Sequence, residues 1–177
     1  MTYTQHYDSP LGGILLAADE EGLTGLWFDG QKYFARTLPK EYAESETPVL
    51  CEAKRWLDIY FSGREPDFTP PLHPEGSAFQ QAVWALLLEI PYGETTTYGT
   101  LARKLAEKQG LNHMSAQAVG GAVGHNDISL IIPCHRVVGA SGSLTGYAGG
   151  VDKKIKLLEL ERADMKSFFV PKKGTAL

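Results

Sequence analysis

The stretch Tyr98-Gly99-Thr100-Leu101-Ala102-Arg103-Lys104-Leu105-Ala106-Glu107-Lys108-Gln109-Gly110-Leu111-Asn112 sets the organisation of the second half of the chain. It follows the cluster Thr95-Thr96-Thr97 and predicts a helix from Tyr98 to about Gln109, closed by a turn at Gly110-Leu111-Asn112. Another helix is expected from near Ser115, so the layout is helix, short glycine turn, helix, that of a helix-turn-helix. Many helical proteins share this layout, so it suggests an architecture and not a function. Upstream, Phe79, Val83, Trp84, Leu87 and Leu88 recur at helical spacing until Pro91-Tyr92-Gly93 stops them.

Further out, the first third reads differently. Gly13-Ile14-Leu15-Leu16-Ala17-Ala18 is a short apolar run after the turn signal Ser9-Pro10-Leu11-Gly12. Asp19-Glu20-Glu21-Gly22 is a polar turn, and Leu23-Thr24-Gly25-Leu26-Trp27-Phe28 is the returning strand of an antiparallel hairpin. From about Thr47 the spacing turns helical, with Leu50, Ala53, Leu57 and Tyr60 on one face behind the capping candidate Thr47 and Pro48. The proline- and glycine-rich stretch Thr69-Pro70-Pro71-Leu72-His73-Pro74-Glu75-Gly76 marks a boundary. The expected fold is α+β. A small amino-terminal antiparallel sheet with a helix fills 1–74, a mainly helical domain with a winged-helix-like helix-turn-helix fills 75–165, and 166–177 is a tail.

With 177 residues, 43% of them hydrophobic and 21% charged, the chain has the composition of a soluble globular protein. No apolar stretch is long enough to span a bilayer and no secretory signal opens the sequence, so the expected location is cytoplasmic, without membrane contact. Two cysteines, Cys51 and Cys134, make no disulfide framework and no zinc ligand set, and no metal or cofactor is expected. A net charge of −4 argues against non-specific coating of nucleic acid, although a local face can still bind DNA.

The most chemically informative run is Leu130-Ile131-Ile132-Pro133-Cys134-His135-Arg136-Val137-Val138. It reads as an apolar, strand-like segment that delivers a cysteine, a histidine and an arginine. A buried core cysteine is the plain alternative, but a core run does not normally carry His135-Arg136 in its middle. Thiol chemistry needs the thiolate, and at an ordinary thiol pKa of about 8.5 little is present at neutral pH. His135 is the nearby base, yet neighbours on an extended chain point to opposite faces. A bridging water or a local turn at Pro133 would be needed.

Ile132-Pro133-Cys134-His135-Arg136-Val137 resembles the signature of the O6-alkylguanine-DNA alkyltransferases. The likeness extends through Phe79-Gln80-Gln81-Ala82-Val83-Trp84, Ile90-Pro91-Tyr92-Gly93-Glu94-Thr95, Tyr98-Gly99, Leu101-Ala102 and Ala118-Val119-Gly120. It continues through Asn126, Gly146-Tyr147-Ala148-Gly149-Gly150 and Leu157-Leu158-Glu159-Leu160-Glu161. It is close from Gly76 to Glu161 and looser before.

The resemblance implies repair by direct, irreversible transfer. Cys134 would attack the alkyl carbon on O6 of a flipped guanine. His135 would take the thiol proton through a water, and Glu161 would hold and polarise His135. Tyr98 would donate to the leaving guanine, and Asn126 would brace the turn beside the site. DNA contacts would come from Thr97, Tyr98, Ala116, Gln117, Ala118, Gly120, Gly121 and Arg136. Val137, Val138, Tyr147, Ala148 and Gly149 would read the base. The implied partner is alkylated double-stranded DNA, bound in its minor groove with the guanine flipped, by a monomer associated with the nucleoid through DNA.

Taken singly, these residues have blander readings. Glu161 sits on a charged stretch with Lys153, Lys154, Lys156 and Glu159 that reads as a solvated face. Tyr98 reads as an amphipathic helix residue and Asn126 as a turn former. The small residues from Ser115 to Gly124 suit either tight helix packing or close approach to DNA. Three positions depart from the family pattern: Gln117 replaces a usual arginine, Ala148 a frequent polar residue, and Asp127 a common proline. Two other functions stay open, a non-reacting lesion-binding relative and a turnover thiol hydrolase.

Overall fold

The computed structural model describes residues 1–171 and contains two units. The first comprises Met1–Glu75 together with Asp127–Ile131; the second comprises Gly76–Asn126 and the residues from Ile132 onward. The boundary expected after residue 74 thus needs one amendment. Five residues from far along the chain belong to the amino-terminal unit.

In that unit β1 (Tyr3–Ser9), β2 (Gly12–Ala18) and β3 (Leu23–Phe28) form an antiparallel meander, and the short β4 (Ala43–Glu44) adds a parallel edge, in the order β3-β2-β1-β4. Helix α1 (Pro48–Phe61) packs on the sheet. Thr47 caps it by accepting from the Leu50 amide, and Leu50, Ala53, Leu57 and Tyr60 are buried with Trp56. Leu50 and Leu57 contribute about 1.5–3 kcal/mol each on burial. Segment 127–131 joins the edge of β3: the Leu26 amide donates to the Asp127 carbonyl at 2.8 Å, and the Ser129 amide donates to the Leu26 carbonyl at 3.1 Å. The Asp127 carboxylate accepts from Trp27 Nε1 at 3.3 Å and Arg36 at 2.5 Å. Those partners give an acid, where the family commonly has proline, a structural use.

The second unit is helical. Helix α2 (Ala78–Leu87) opens with a capping box between Ser77 and Gln80. Helix α3 (Tyr98–Gln109), capped by Thr97, ends at Gly110, whose φ of +67° is the left-handed conformation that the helix-turn-helix bend requires. Helix α4 (Ala116–Gly124) follows, capped by Ser115. Helix α2 locks onto α4 through Trp84 Nε1, which donates to the Ala122 carbonyl at 2.9 Å. A two-residue parallel ladder joins β5 (Thr96–Thr97) to β6 (Val137–Val138), tying the start of α3 to the chain just after Cys134. Helix α5 (Val151–Leu160) closes the unit.

Two expectations are corrected here. The strand-like reading of the cysteine run fails at its centre, because Cys134–Arg136 is a 3-10 turn and only Val137–Val138 are strand. Pro133 has no amide to donate to a ladder, and the turn is closed by the Arg136 amide on the Pro133 carbonyl at 3.0 Å. The tail expected after residue 165 is also held as far as it is described. Phe169 pairs with Ser143, and Met165 and Phe168 pack against Leu144 and Leu158. The rest of that tail, 172–177, lies outside the described residues.

Candidate active site

The 3-10 turn resolves the difficulty of adjacent side chains on an extended strand. It buries Cys134 and His135 together at the end of an apolar run. Asn126 braces this loop, its Nδ2 donating to the Ile132 carbonyl at 2.8 Å, and its side chain also hydrogen-bonds Cys134. Burial pushes the Cys134 thiol above its ordinary pKa. Asn126, the charge of Lys154 and the backbone amides of Cys134 and His135 pull in the other direction without overcoming it. At rest the group is a thiol, and its reaction requires a base.

His135 is fully buried, and its Nε2 lies 2.5 Å from Glu161 Oε2. Burial holds its pKa below the ordinary histidine value; Glu161 opposes that shift, while Arg136 and Lys154 reinforce it. Glu161, the residue that ends α5, is 3% exposed. Burial alone would raise its pKa. Hydrogen bonds and charges from His135 and Arg136 outweigh burial and hold the carboxyl well below the usual carboxylate range. An ionised carboxylate only accepts, so neutral His135 carries its proton on Nε2 and keeps its lone pair on Nδ1. The pair is therefore a histidine fixed in the tautomer of a base.

Glu161 has further partners. Arg136 Nε donates to its Oε1 at 2.8 Å, and the Gly93 amide donates to the same oxygen at 3.0 Å. Arg136 also reaches the Ile90 carbonyl at 2.7 Å and lies over the Tyr92 ring. This corrects the expectation that Arg136 meets DNA: its guanidinium is buried and turned inward to neutralise Glu161.

Lys154 is the candidate functional residue that sequence reasoning missed. Although it lies on the charged stretch read as a solvated face, it is 0% exposed. Its Nζ donates to the Val137 carbonyl at 2.5 Å and the Thr145 carbonyl at 2.8 Å. Burial brings its pKa down to about 8, with Cys134 opposing the shift. The signal available in sequence was its place three residues before Leu157 and four before Leu158, on the apolar face of α5. Tyr98 is likewise buried, on the inner face of α3; its hydroxyl donates to the Thr145 carbonyl at 3.4 Å. Burial first, then the nearby Cys134 charge, raises its pKa, so it remains a hydrogen-bond donor.

Among the residues expected to read the base, the Val137 carbonyl is already engaged by Lys154, and Val138 is buried in β6. Tyr147 stands edge-on to His135 with ring centroids 6.4 Å apart. Ala148 and Gly149 are half-buried beside it, and a Cβ on Gly149 would come within 2.9 Å of the Tyr147 ring. The expected DNA contacts separate in the same way. Ala116, Gln117 and Ala118 are exposed at the start of α4, Gly120 is buried, and a Cβ on Gly121 would meet nothing within 4 Å. Packing does not demand a glycine at 121. The Thr97 hydroxyl is used as the cap of α3, accepting from the Thr100 amide at 3.1 Å. Among the described residues, no group of three His, Cys, Asp or Glu side chains is arranged to hold a metal ion.

A helix-turn-helix unit with a buried cysteine beside a histidine–glutamate pair defines a class of site in which a base can activate a thiol. The comparisons narrow it. Residues 78–163 match the family model described as "6-O-methylguanine DNA methyltransferase, DNA binding domain", and residues 2–74 match that of its ribonuclease-like domain. The chain belongs to the 6-O-methylguanine DNA methyltransferase family. It is 44% identical to the methylated-DNA–protein-cysteine methyltransferase of Haemophilus influenzae, over 90% of this chain and 86% of that one. It is 47% identical to the protein of the same name from Methanosarcina acetivorans, over 90% and 97%. Among solved structures, the Mycobacterium tuberculosis OGT in complex with DNA superposes with a TM-score of 0.78 at 42% identity, covering 91% of this chain and 94% of that one.

Proposed function

We propose that this protein repairs DNA by moving an alkyl group from O6 of guanine onto Cys134, once per molecule. The carrying observation is the buried His135–Glu161 pair at 2.5 Å next to Cys134, in a chain whose family is defined by such transfer. The sulfur forms a bond to the alkyl carbon as the carbon–O6 bond breaks. The thiol proton passes through a water to Nδ1 of His135, and the positive charge so created is stabilised by Glu161. Asn126 and Lys154 stabilise the thiolate. Tyr98 turns its single O–H from the Thr145 carbonyl to the departing guanine, which takes its proton from solvent. A thioether is a poor leaving group, so Cys134 is not regenerated.

DNA is the partner. The exposed, small-residue start of α4 supports a helix laid close against the minor groove, with Gln117 beside the gap left by a flipped base. The protein acts as a monomer, inside the cell, where its substrate is. No helix among the described residues is long and apolar enough to cross a membrane. Retention of Cys134 favours transfer over mere lesion flagging, and an irreversible thioether has no place in a turnover hydrolase. Cys134→Ala tests the reading. It should abolish transfer from an O6-methylguanine duplex while leaving duplex affinity nearly unchanged; residual transfer by this variant would refute it.

A further inference from the structure

The carboxy-terminal part of the described chain does more than trail behind α5. The Leu144 amide donates to the Phe169 carbonyl at 2.8 Å, and the Phe169 amide donates to the Gly142 carbonyl at 3.1 Å. Gly142 has φ +89°, and a Cβ there would come within 2.2 Å of the Ser167 carbonyl oxygen, so the two segments run in close contact. Phe168 and Met165 pack against the Val138–Leu144–Leu158 cluster. An apolar groove of about 290 Å³ remains beside Ile155, Phe168 and Phe169. The segment is held by this packing together with the two backbone bonds.

What the segment holds is the link to the reacting groups. The residue after Leu144 is Thr145, whose carbonyl accepts from both Lys154 Nζ and the Tyr98 hydroxyl. We propose that Met165–Val170 is a strap that positions the Thr145 carbonyl, and through it Lys154 and Tyr98, for alkyl transfer to Cys134. The inference rests on the proposed roles of Lys154 and Tyr98. The titratable groups that face Lys154 are Cys134 and His135 from the 3-10 turn, with Tyr98 from α3 sharing its carbonyl.

Phe169→Pro removes the amide that reaches Gly142, together with a side chain that is 49% exposed. Phe169→Ala keeps that amide and serves as the control. Single-turnover transfer is measured for both and for the unaltered protein from pH 6 to 10, alongside thermal unfolding. In the unaltered protein the Lys154 charge should be lost around pH 8. Phe169→Pro should slow transfer about fivefold at pH 7 and move that inflection to lower pH, because a displaced Thr145 carbonyl no longer supports the Lys154 ammonium. Phe169→Ala should match the unaltered protein. Gly142→Ala, which displaces the strap from the other side, should reproduce the proline result. An inflection unmoved in Phe169→Pro, with or without lower thermal stability, overturns the strap. Absence of transfer in the unaltered protein would instead remove the proposed function itself.

Discussion

Helices α4 and α5 invert what their compositions suggest. Helix α4, Ala116–Gly124, carries no charge, yet Ala116, Gln117 and Ala118 at its start face solvent. Helix α5, Val151–Leu160, carries Asp152, Lys153, Lys154, Lys156 and Glu159, yet it buries Lys154 and ends in the buried Glu161. The apolar helix exposes its first turn while burying Val119, Gly120, Ala122 and Val123, and the charged helix places Lys154 and Glu161 in the interior. Small residues are useful where a nucleic-acid backbone must come close. Charges are useful in the interior where each has a partner, and here Glu161 has His135, Arg136 and the Gly93 amide, and Lys154 has two carbonyls.

The largest effect should follow from breaking the α5 side. Glu161→Gln removes the charge that fixes His135 and leaves Arg136 buried without its counter-ion. Transfer at neutral pH should fall by about 10²-fold, and thermal or denaturant unfolding should report a loss of about 3 kcal/mol. The transfer defect should shrink as pH rises toward the thiol's own pKa, because solvent then supplies the thiolate. Acid unfolding gives a second reading. The folded Glu161 pKa is depressed, so its contribution is present above the unfolded carboxyl pKa and is lost as pH falls from there toward the folded value. Stability measured from pH 6 downward should therefore be flatter in Glu161→Gln than in the unaltered protein.

Lys154→Met should act next in size. Losing the cation near Cys134 should slow transfer at pH 7 by about tenfold, the effect of one pKa unit. The folded Lys154 pKa is about 8, so the unaltered protein loses the same charge as pH rises through that value. The two rate profiles should converge above it, and a constant ratio across pH would indicate damage to packing instead.

On α4 the effects should be smaller and of the opposite kind. Gly121→Ala fills open space and removes an interior glycine, so unfolding should show a gain of up to about 1 kcal/mol. If the helix backbone approaches DNA there, duplex affinity should fall a few-fold while transfer from free O6-alkylguanine base is unchanged. Gln117→Arg should strengthen duplex binding on the order of threefold at low salt, with the gain fading at high salt because it is electrostatic. Equal gains at both salt concentrations would assign the effect to shape.

Much of this organisation was legible in the sequence. Helix periodicity and caps located α1 and α3, the glycine at 110 located the bend, and the Pro133-Cys134-His135-Arg136 order marked Cys134 as the candidate nucleophile. The rest depended on tertiary placement. A charged residue on a mixed helix reads as solvated until its partners are known, and those of Lys154 are carbonyls, which carry no side-chain signature. Arg136 reads as a DNA contact until Glu161 and Ile90 claim it. The placement of Asp127–Ile131 with the amino-terminal unit was hidden for a similar reason. Pairing with β3 comes from residues about a hundred positions away, and apolar periodicity does not encode which edge a segment joins.

The most direct test of the account is where the alkyl group ends up. One equivalent of duplex carrying a single O6-methylguanine is incubated with the protein, which is then digested and mapped by mass. The account predicts one methyl group per molecule, on the peptide that contains Cys134, none on the exposed Cys51, and no further repair when a second equivalent of duplex is added. Methyl on any other residue, or continued repair by a protein whose Cys134 stays unmodified, would contradict it.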